Sequence, residues 1–301
     1  MSLRQRLQAS TTGDQIEFGI AVQHIESGQE TAINAEAIFP TASVFKVPVM
    51  VEVFKQARAG KFDLDDRLEL ETRYKTLTSG VLLHLQDGLR LTIRDLLTLM
   101  IIVSDNTATT MLMEWVGPQN VTATMHSLGL TSMEINMTVH QMFLHAFGIP
   151  DRPSISLQAL RDRARKVQMD YRSRTFSRNK DNNISSAADM TRLIAMIFKG
   201  EILDRAACDE MLTILSHQQF NNRVPRFLPW YTVWHKTGTM RGLRNDSGII
   251  CCNQNSHVAF TVFSFDRLEL PLSNPRLAVQ RSLLVEEKMG EMGLAIYEHY
   301  A

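Results

Sequence analysis

The most informative stretch of the sequence is Phe39-Pro40-Thr41-Ala42-Ser43-Val44-Phe45-Lys46, which an apolar run from 47 to 54 follows. If that run is a helix, Ser43 and Lys46 share one face near its N-terminus, where unpaired backbone N–H groups carry partial positive charge. A serine hydroxyl becomes an effective nucleophile when a base takes its proton, and a lysine whose pKa is lowered by burial can be that base. Pro48 removes one helical N–H, which predicts a kink or irregular turn after Lys46.

The composition is that of an ordinary globular protein. The chain has 301 residues, of which 44% are hydrophobic and 21% are charged, so one domain with a large core is expected. Lysine plus arginine and aspartate plus glutamate each number 32, and the formal net charge is zero. We therefore expect neither nucleic acid nor an anionic membrane as partner. No apolar run reaches the length that crosses a bilayer.

The N-terminus and the cysteines bear on the compartment. The first residues lack the apolar core of a secretion signal, so we expect a cytoplasmic protein, or a periplasmic or secreted one whose export signal has been removed. Cys208, Cys251 and Cys252 are odd in number and two of them are adjacent, so the sequence predicts no disulfide framework.

Strand patterns lie at both ends of the chain and helical patterns lie between them. A β-hairpin is predicted around residues 16–33, and further strands are predicted at residues 231–236, 247–252 and 258–265, before a long closing helix at residues 276–297. This order predicts an α+β fold in which both termini build one antiparallel sheet, flanked by helices, with an all-helical lobe inserted. We expect one domain, residues 1–301, with a sheet lobe at about 1–40 and 200–301 and a helical lobe at about 41–199.

Three short motifs follow one another: Ser43-Val44-Phe45-Lys46, Ser104-Asp105-Asn106 and Lys236-Thr237-Gly238. Each alone has a structural explanation, as a helix cap or a strand end. Together they fit acyl transfer, with Ser43 as nucleophile, Lys46 as its base and Ser104 as a relay of the proton to the leaving nitrogen. No pair of histidines has the spacing of metal ligands, and we expect neither metal nor cofactor.

The remaining groups of these motifs suit substrate binding. Asn106 is expected to hydrogen-bond Lys46 and a substrate amide, and Lys236 to attract a substrate carboxylate. Thr237 and Gly238 complete the binding strand, and the backbone N–H groups of Ser43 and Thr239 are expected to form an oxyanion hole. Arg241 and Arg244 follow this strand. We interpret them as a solvated hairpin turn, with contact to an anionic substrate as the alternative.

With these motifs the sequence resembles the class A serine β-lactamases, a family of penicillin-recognising serine hydrolases. Further stretches add to the resemblance: Ser79-Gly80-Val81-Leu82, Leu91–Leu96, Ile101–Thr109, Arg223-Val224-Pro225, Leu228-Pro229 and Asn245–Ile250. Nearly the whole chain is covered, residues 131–183 excepted. The resemblance implies a β-lactamase/transpeptidase-like fold, a small-molecule substrate (a β-lactam or an acyl-peptide-like compound) and these same roles for the motif residues.

One family feature is missing. Class A enzymes carry a glutamate in an E-x-x-L-N segment that activates the water for hydrolysis of the acyl-enzyme, whereas in this chain no glutamate lies between Glu134 and Glu201. Glu134 itself lacks the rest of the segment. His140 lies at about the right distance from Ser104 along the sequence to be the water-activating base, although a packed histidine is the simpler interpretation. Asp151 is a second candidate.

The sequence leaves three functions open. The first is a β-lactamase that opens the β-lactam ring through a Ser43 acyl-enzyme. The second, motivated by the missing glutamate, is a D-alanyl peptidase or esterase of the penicillin-binding-protein type. The third is a sensor that is acylated and loses its acyl group slowly.

Overall fold

A computed structural model describes residues 1–150, 157–269 and 274–301. The chain divides into two units. The sheet unit comprises Met1–Val44, Leu130–Met133 and Ser185–Ala301, and the helical unit comprises Phe45–Gly129 and Glu134–Ile184.

In chain order, the helices of the described residues are α1 (Leu3–Thr11), α2 (Lys46–Arg58), α3 (Ile93–Ile102), α4 (Asn106–Val116), α5 (Pro118–Ser127), α6 (Val139–Ala146), α7 (Leu157–Lys166), α8 (Ala187–Lys199), α9 (Arg205–Ser216) and α10 (Pro275–Tyr300). The strands are β1 (Glu17–His24), β2 (Glu30–Ile33), β3 (Ile38–Pro40), β4 (Arg67–Glu69), β5 (Arg90–Thr92), β6 (Glu134–Ile135), β7 (Asn183–Ser186), β8 (Val233–Met240), β9 (Leu243–Asn253) and β10 (Ser256–Phe265).

The sheet unit is built from both ends of the chain, as the sequence predicts. Among the described residues its strands follow the order β2-β1-β10-β9-β8, and every neighbouring pair is antiparallel. Apolar side chains of α1 and α10 pack on one face of this sheet, where Leu7, Phe260 and Met292 are fully buried. β8, which carries the Lys-Thr-Gly motif, lies at one edge.

Helix α8 belongs to the sheet unit, whereas the sequence pattern placed residues up to 199 in the helical lobe. Its predicted apolar stripe is fully buried at Met190, Leu193 and Ile194, and the Thr191 hydroxyl donates to the carbonyl of Ala21 in β1 at 3.2 Å. An amphipathic helix buries its stripe on the nearest apolar surface, which in this case is a face of the sheet.

The helical unit contains α2 to α7 together with the short strands β4 to β6. The predicted capping box of α3 is present, because the Thr92 hydroxyl accepts from the Asp95 N–H at 2.9 Å and the Asp95 carboxylate accepts from the Thr92 N–H at 3.2 Å. A separate apolar cluster joins Leu77 to Leu144 and Leu160 of α6 and α7. None of the helices in the described ranges is both long and apolar enough to span a bilayer.

The start of α2 differs from the sequence prediction. A 3-10 turn covers Ala42–Phe45, and the α-helix begins at Lys46, so the irregular turn lies before Lys46 rather than after it. Pro48 is the third residue of α2, a position in the first turn where its missing N–H is tolerated. A continuous α-helix would pair the Pro48 nitrogen with the Val44 carbonyl, which proline cannot do.

Candidate active site

The amino group of Lys46 is the centre of a buried polar cluster in the helical unit. Its Nζ donates to the Ser104 carbonyl at 2.8 Å, to the Ser104 Oγ at 3.0 Å and to the Asn106 Oδ1 at 2.9 Å. Lys46 is fully buried, and Ser104 and Asn106 are nearly so. The structure thus brings together three of the residues that the first two motifs single out.

Burial lowers the pKa of the Lys46 ammonium to about 7, and the nearby carboxylate of Asp105 offsets part of this effect. The three oxygen atoms that accept from its Nζ are all uncharged, so none of them holds the proton as a carboxylate would. A lysine with this pKa is neutral in a large fraction of molecules at neutral pH. It can therefore accept a proton from a hydroxyl.

Asp105 holds the Ser-Asp-Asn segment in place. Its fully buried carboxylate accepts hydrogen bonds from the backbone N–H groups of Thr107, Ala108, Val81 and Leu82 at 2.6–2.9 Å. One oxygen caps α4, and the other binds the loop that contains Gly80. A Cβ at Gly80 would lie 2.3 Å from the Asp105 carboxyl, and Gly80 has φ +107°, so glycine is required there. The contact between Asp105 and this loop gives a physical reason why the Ser79–Leu82 stretch and the Ser-Asp-Asn motif occur together in a chain that resembles the family.

The nucleophile candidate lies on an unusual turn. Ser43 is half-buried on the 3-10 turn, and Ala42 before it has φ 44°. Ser104 also has a positive φ, 56°. Such backbone angles cost about 1–3 kcal/mol for residues other than glycine, and they persist only when the surrounding structure enforces them. One candidate serine, Ser104, thus has a disfavoured backbone conformation itself, and the other, Ser43, directly follows a residue that has one.

Within the sheet unit, the Lys-Thr-Gly strand packs against this turn. A Cβ at Gly238 would lie 2.5 Å from the Thr41 carbonyl oxygen, and the Asn245 side chain donates to the Pro40 carbonyl at 2.9 Å. Lys236 is fully buried, and its Nζ donates to the Thr237 carbonyl at 2.8 Å. Glycine at 238 thus permits the close approach of β8 to the segment that carries the candidate nucleophile.

Arg223 holds the C-terminal part of β8 in place, a role that we did not predict from the sequence. Its guanidinium is buried, and one nitrogen donates to the Gly238 carbonyl at 2.9 Å and the Asn245 carbonyl at 2.6 Å, while the other donates to the Thr239 hydroxyl. Burial lowers the pKa of Arg223 to about 10, and Asp246 offsets part of this effect. The only sequence signal was its place in a stretch of family resemblance.

Arg244 corrects the interpretation of the hairpin that follows β8. Only 8% of Arg244 is exposed, and its guanidinium donates to the Met240 carbonyl at 2.6 Å and faces the Glu269 and Glu286 carboxylates at 3.4 and 3.7 Å. The solvated turn predicted for Arg244 is therefore wrong. Its charge is compensated by carboxylates that lie far along the sequence.

The candidates for water activation are separate from the Lys46 cluster in the hydrogen-bond pattern. His140 is half-buried in the first turn of α6, and burial lowers the pKa of its imidazole below the ordinary value. Among the described residues, the hydrogen bonds that join Lys46, Ser104 and Asn106 do not include it. Glu134 accepts from the Asn136 side chain at 3.1 Å. Asp151 lies outside the described residues.

A model of the β-lactamase enzyme family matches residues 2–300. The chain belongs to this family. A β-lactamase of Stenotrophomonas maltophilia is 33% identical over 113 residues, a match that covers 37% of this chain and 37% of that protein. The chain therefore spans little more than a third of that relative.

Solved structures of similar fold agree with the family assignment. The crystal structure of a β-lactamase from Sphaerobacter thermophilus is 26% identical, with a TM-score of 0.76 over 99% of this chain and 96% of that one. A variant of the protein PBP-A, in an acyl-enzyme complex with penicillin G, is 21% identical with a TM-score of 0.75, over 99% of this chain and 95% of that one. The β-lactamase/transpeptidase-like fold predicted from the sequence is confirmed.

Two groups of candidate residues follow for this member of the family. Lys46, Ser104 and Asn106 are directly hydrogen-bonded in the helical unit, and the Ser43 turn packs against the strand of Lys236 in the sheet unit. The described ranges contain no group of three or more histidine, cysteine, aspartate or glutamate side chains arranged to hold a metal ion.

Proposed function

We propose that this chain is a serine β-lactamase of the class A type, which opens the β-lactam ring through an acyl-enzyme on Ser43. The observation that carries the proposal is the Lys46 amino group, which is fully buried, has a pKa of about 7 and bonds to Ser104 and Asn106. Lys46 follows Ser43 by three residues, along a 3-10 turn that runs directly into α2. A base of matched pKa beside a serine is what nucleophilic catalysis needs.

In the proposed acylation, neutral Lys46 takes the hydroxyl proton of Ser43 while the Oγ attacks the β-lactam carbonyl carbon. The ring C–N bond then breaks, and Ser104 gives its proton to the leaving nitrogen and regains one from the Lys46 ammonium. The bond between the Lys46 Nζ and the Ser104 Oγ, 3.0 Å long, supports this return path.

The sheet unit would supply the groups that bind and polarise the substrate. Lys236 would attract the substrate carboxylate and Thr237 would donate a hydrogen bond to it, as in the family. The backbone N–H groups of Ser43 and Thr239 would stabilise the oxyanion, and one such donor typically contributes ~3 kcal/mol to transition-state stabilisation. The bonds of Arg223 to the Gly238 carbonyl and the Thr239 hydroxyl support a fixed position for that second donor.

Intact-protein mass spectrometry with benzylpenicillin tests the proposal. The wild-type protein should gain the mass of one penicillin, and the S43A variant should gain none. S10A, on α1, a helix that carries none of the motifs, is the matched control and should react like the wild type. The acylation rate should rise as the pH passes through about 7, because Lys46 must lose its proton. A protein that neither gains this mass nor hydrolyses benzylpenicillin at any pH would refute the proposal.

Hydrolysis of the acyl-enzyme would use His140, whose pKa is lowered by burial so that the imidazole is neutral and basic at pH 7. General-base catalysis by one residue is typically worth about 10²–10⁴ in rate. The H140N variant should therefore be acylated at the normal rate and lose its acyl group at least about 100-fold more slowly. Unchanged loss of the adduct would exclude His140 as the base.

The absence of glutamate between residues 134 and 201 favours a second candidate, a D-alanyl peptidase or esterase that is acylated by penicillins and releases them slowly. The neighbour PBP-A, whose variant forms an acyl-enzyme with penicillin G, gives this candidate its context. Turnover of a D-alanyl-D-alanine peptide or a simple ester, beside a penicillin adduct that persists for hours, would support it. A persistent adduct without ester or peptide turnover would indicate a sensor instead.

A further inference from the structure

The side-chain amide of Asn106 has a partner for each of its hydrogens. Its Oδ1 accepts from Lys46 at 2.9 Å, and its Nδ2 donates to the Leu77 carbonyl at 2.9 Å and to the Thr78 Oγ1 at 2.9 Å. The orientation of this amide is fixed by chemistry, because the lysine nitrogen donates and a backbone carbonyl only accepts. An amide nitrogen carries two hydrogens, and both are used.

This pattern conflicts with the role that the proposed function gives to Asn106. A substrate amide carbonyl can accept from the Asn106 Nδ2 only if one of the two present acceptors leaves. The Leu77 carbonyl belongs to the backbone of a buried residue, whereas the Thr78 hydroxyl belongs to the side chain of an exposed one. The Thr78 hydroxyl is the acceptor that can move away.

Thr78 is also held in a strained conformation. Its φ is +83°, an outlier for a β-branched residue, which costs about 1–3 kcal/mol. The chain is held in place on both sides of it: two residues before, the Thr76 N–H donates to the Thr107 hydroxyl at 3.2 Å, and one residue after, the Ser79 hydroxyl donates to the Ser104 carbonyl at 2.8 Å. The loop thus presents the Thr78 hydroxyl to Asn106 against its local backbone preference.

We propose that the Thr78 hydroxyl is a placeholder for the substrate. In the free protein it occupies the hydrogen-bond position that the side-chain amide carbonyl of an acylated β-lactam takes on binding, and it is displaced by that carbonyl. This inference rests on the proposed function and adds to it a residue, Thr78, that competes with the substrate for the Asn106 side chain. The exchange replaces one hydrogen bond by another, so the hydroxyl lowers the affinity for such substrates.

The experiment compares benzylpenicillin, which carries the side-chain amide, with 6-aminopenicillanic acid, which carries a free amine instead. The T78V variant keeps the β-branched shape and removes the competing acceptor. We expect its dissociation constant for benzylpenicillin, from the concentration dependence of acylation, to fall roughly two- to tenfold, the effect of one net hydrogen bond. The constant for 6-aminopenicillanic acid and the limiting acylation rates should stay within about twofold of the wild type.

Two further variants complete the test. T78S keeps the hydroxyl and should bind both compounds like the wild type. T78G removes the hydroxyl together with the strain, and it should again tighten binding of benzylpenicillin alone. The side-chain NH₂ resonances of ¹⁵N-labelled Asn106 should shift in T78V relative to T78S in the free protein, and benzylpenicillin should shift them in the wild type.

The outcomes separate this inference from the proposed function. If T78V slows acylation by both compounds, Thr78 only orients Asn106 and the placeholder is refuted. If T78V binds benzylpenicillin like the wild type, the hydroxyl does not compete and the placeholder is again refuted, while the acylation of Ser43 stands. If the wild type is acylated by neither compound, the proposed function itself has failed, and the placeholder fails with it.

Discussion

Two buried lysines, one in each unit, reach their positions by different means. Lys46 is held by side-chain and carbonyl oxygens that converge on its amino group from the Ser-Asp-Asn segment. Lys236 lies on an antiparallel edge strand, and its amino group bonds to the carbonyl of the next residue. The chemistry of the Lys46 region therefore depends on protonation and on satisfied polar groups. The Lys236 region depends on the position of a strand.

The largest expected effect concerns the protonation of Lys46. Its pKa is lowered from 10.5 to about 7 in the folded protein, so between these pH values the unfolded chain binds more protons than the folded one. Stability should consequently rise with pH across this window, and the cost of burying Lys46 should be complete below about pH 7 and absent above 10.5. The full cost is about 5 kcal/mol.

The K46M variant tests this linkage, since methionine keeps an apolar stem of similar length and cannot be protonated. We measure the unfolding free energy of both proteins by urea titration from about pH 7 to about pH 10. The difference, wild type minus variant, should increase by several kcal/mol over this range. Replacement of the exposed Lys180 by methionine is the control and should give a curve parallel to the wild type. Parallel curves for K46M would mean that Lys46 is not neutralised by burial.

Asp105 gives the next largest effect, because it supports the Lys46 region through four backbone N–H groups. An asparagine can accept with one atom only and would turn its own N–H groups toward two of these donors. We expect D105N to lose about 3–5 kcal/mol of unfolding free energy. D95N, in the exposed first turn of α3, should lose about 1 kcal/mol. Similar losses for the two variants would show that burial of Asp105 adds nothing.

Features that depend on local sequence patterns or on family motifs could be predicted from the sequence. The antiparallel sheet from both termini follows from strand patterns at the two ends of the chain, and the α3 capping box follows from Thr92 and Asp95. The grouping of Lys46 with Ser104 and Asn106 follows from motif order and from family resemblance. These features depend on short-range patterns or on motifs whose chemistry is shared across a family.

Other features depend on partners that are distant in sequence. The burial of Arg244 requires Glu269 and Glu286, which no local pattern connects to it. The positive φ of Thr78 could not be predicted from the sequence, because threonine is not typical of a left-handed conformation, whereas glycine is. The boundary at α8 was missed because an amphipathic stripe tells which face is buried but not against which neighbour.

The G238A substitution is expected to have the smallest effect on stability, and it tests most directly whether the Lys236 region depends on the position of its strand. Its Cβ would lie 2.5 Å from the Thr41 carbonyl oxygen and 3.0 Å from the Val44 side chain, so either β8 or the Ser43 turn must move. We expect a loss of about 1–3 kcal/mol of unfolding free energy, together with slower acylation by benzylpenicillin.

G28A is the matched control for this substitution. Gly28 has φ +71° and open space around its Cβ position, so alanine there costs about 1–2 kcal/mol through the backbone alone. The two variants should thus lose comparable stability, measured by urea titration, while only G238A is acylated more slowly. Equal acylation rates would mean that the close packing of Gly238 on Thr41 does not position Ser43. The position of the Lys236 strand would then have to depend on Arg223, which donates to the Gly238 carbonyl and the Thr239 hydroxyl.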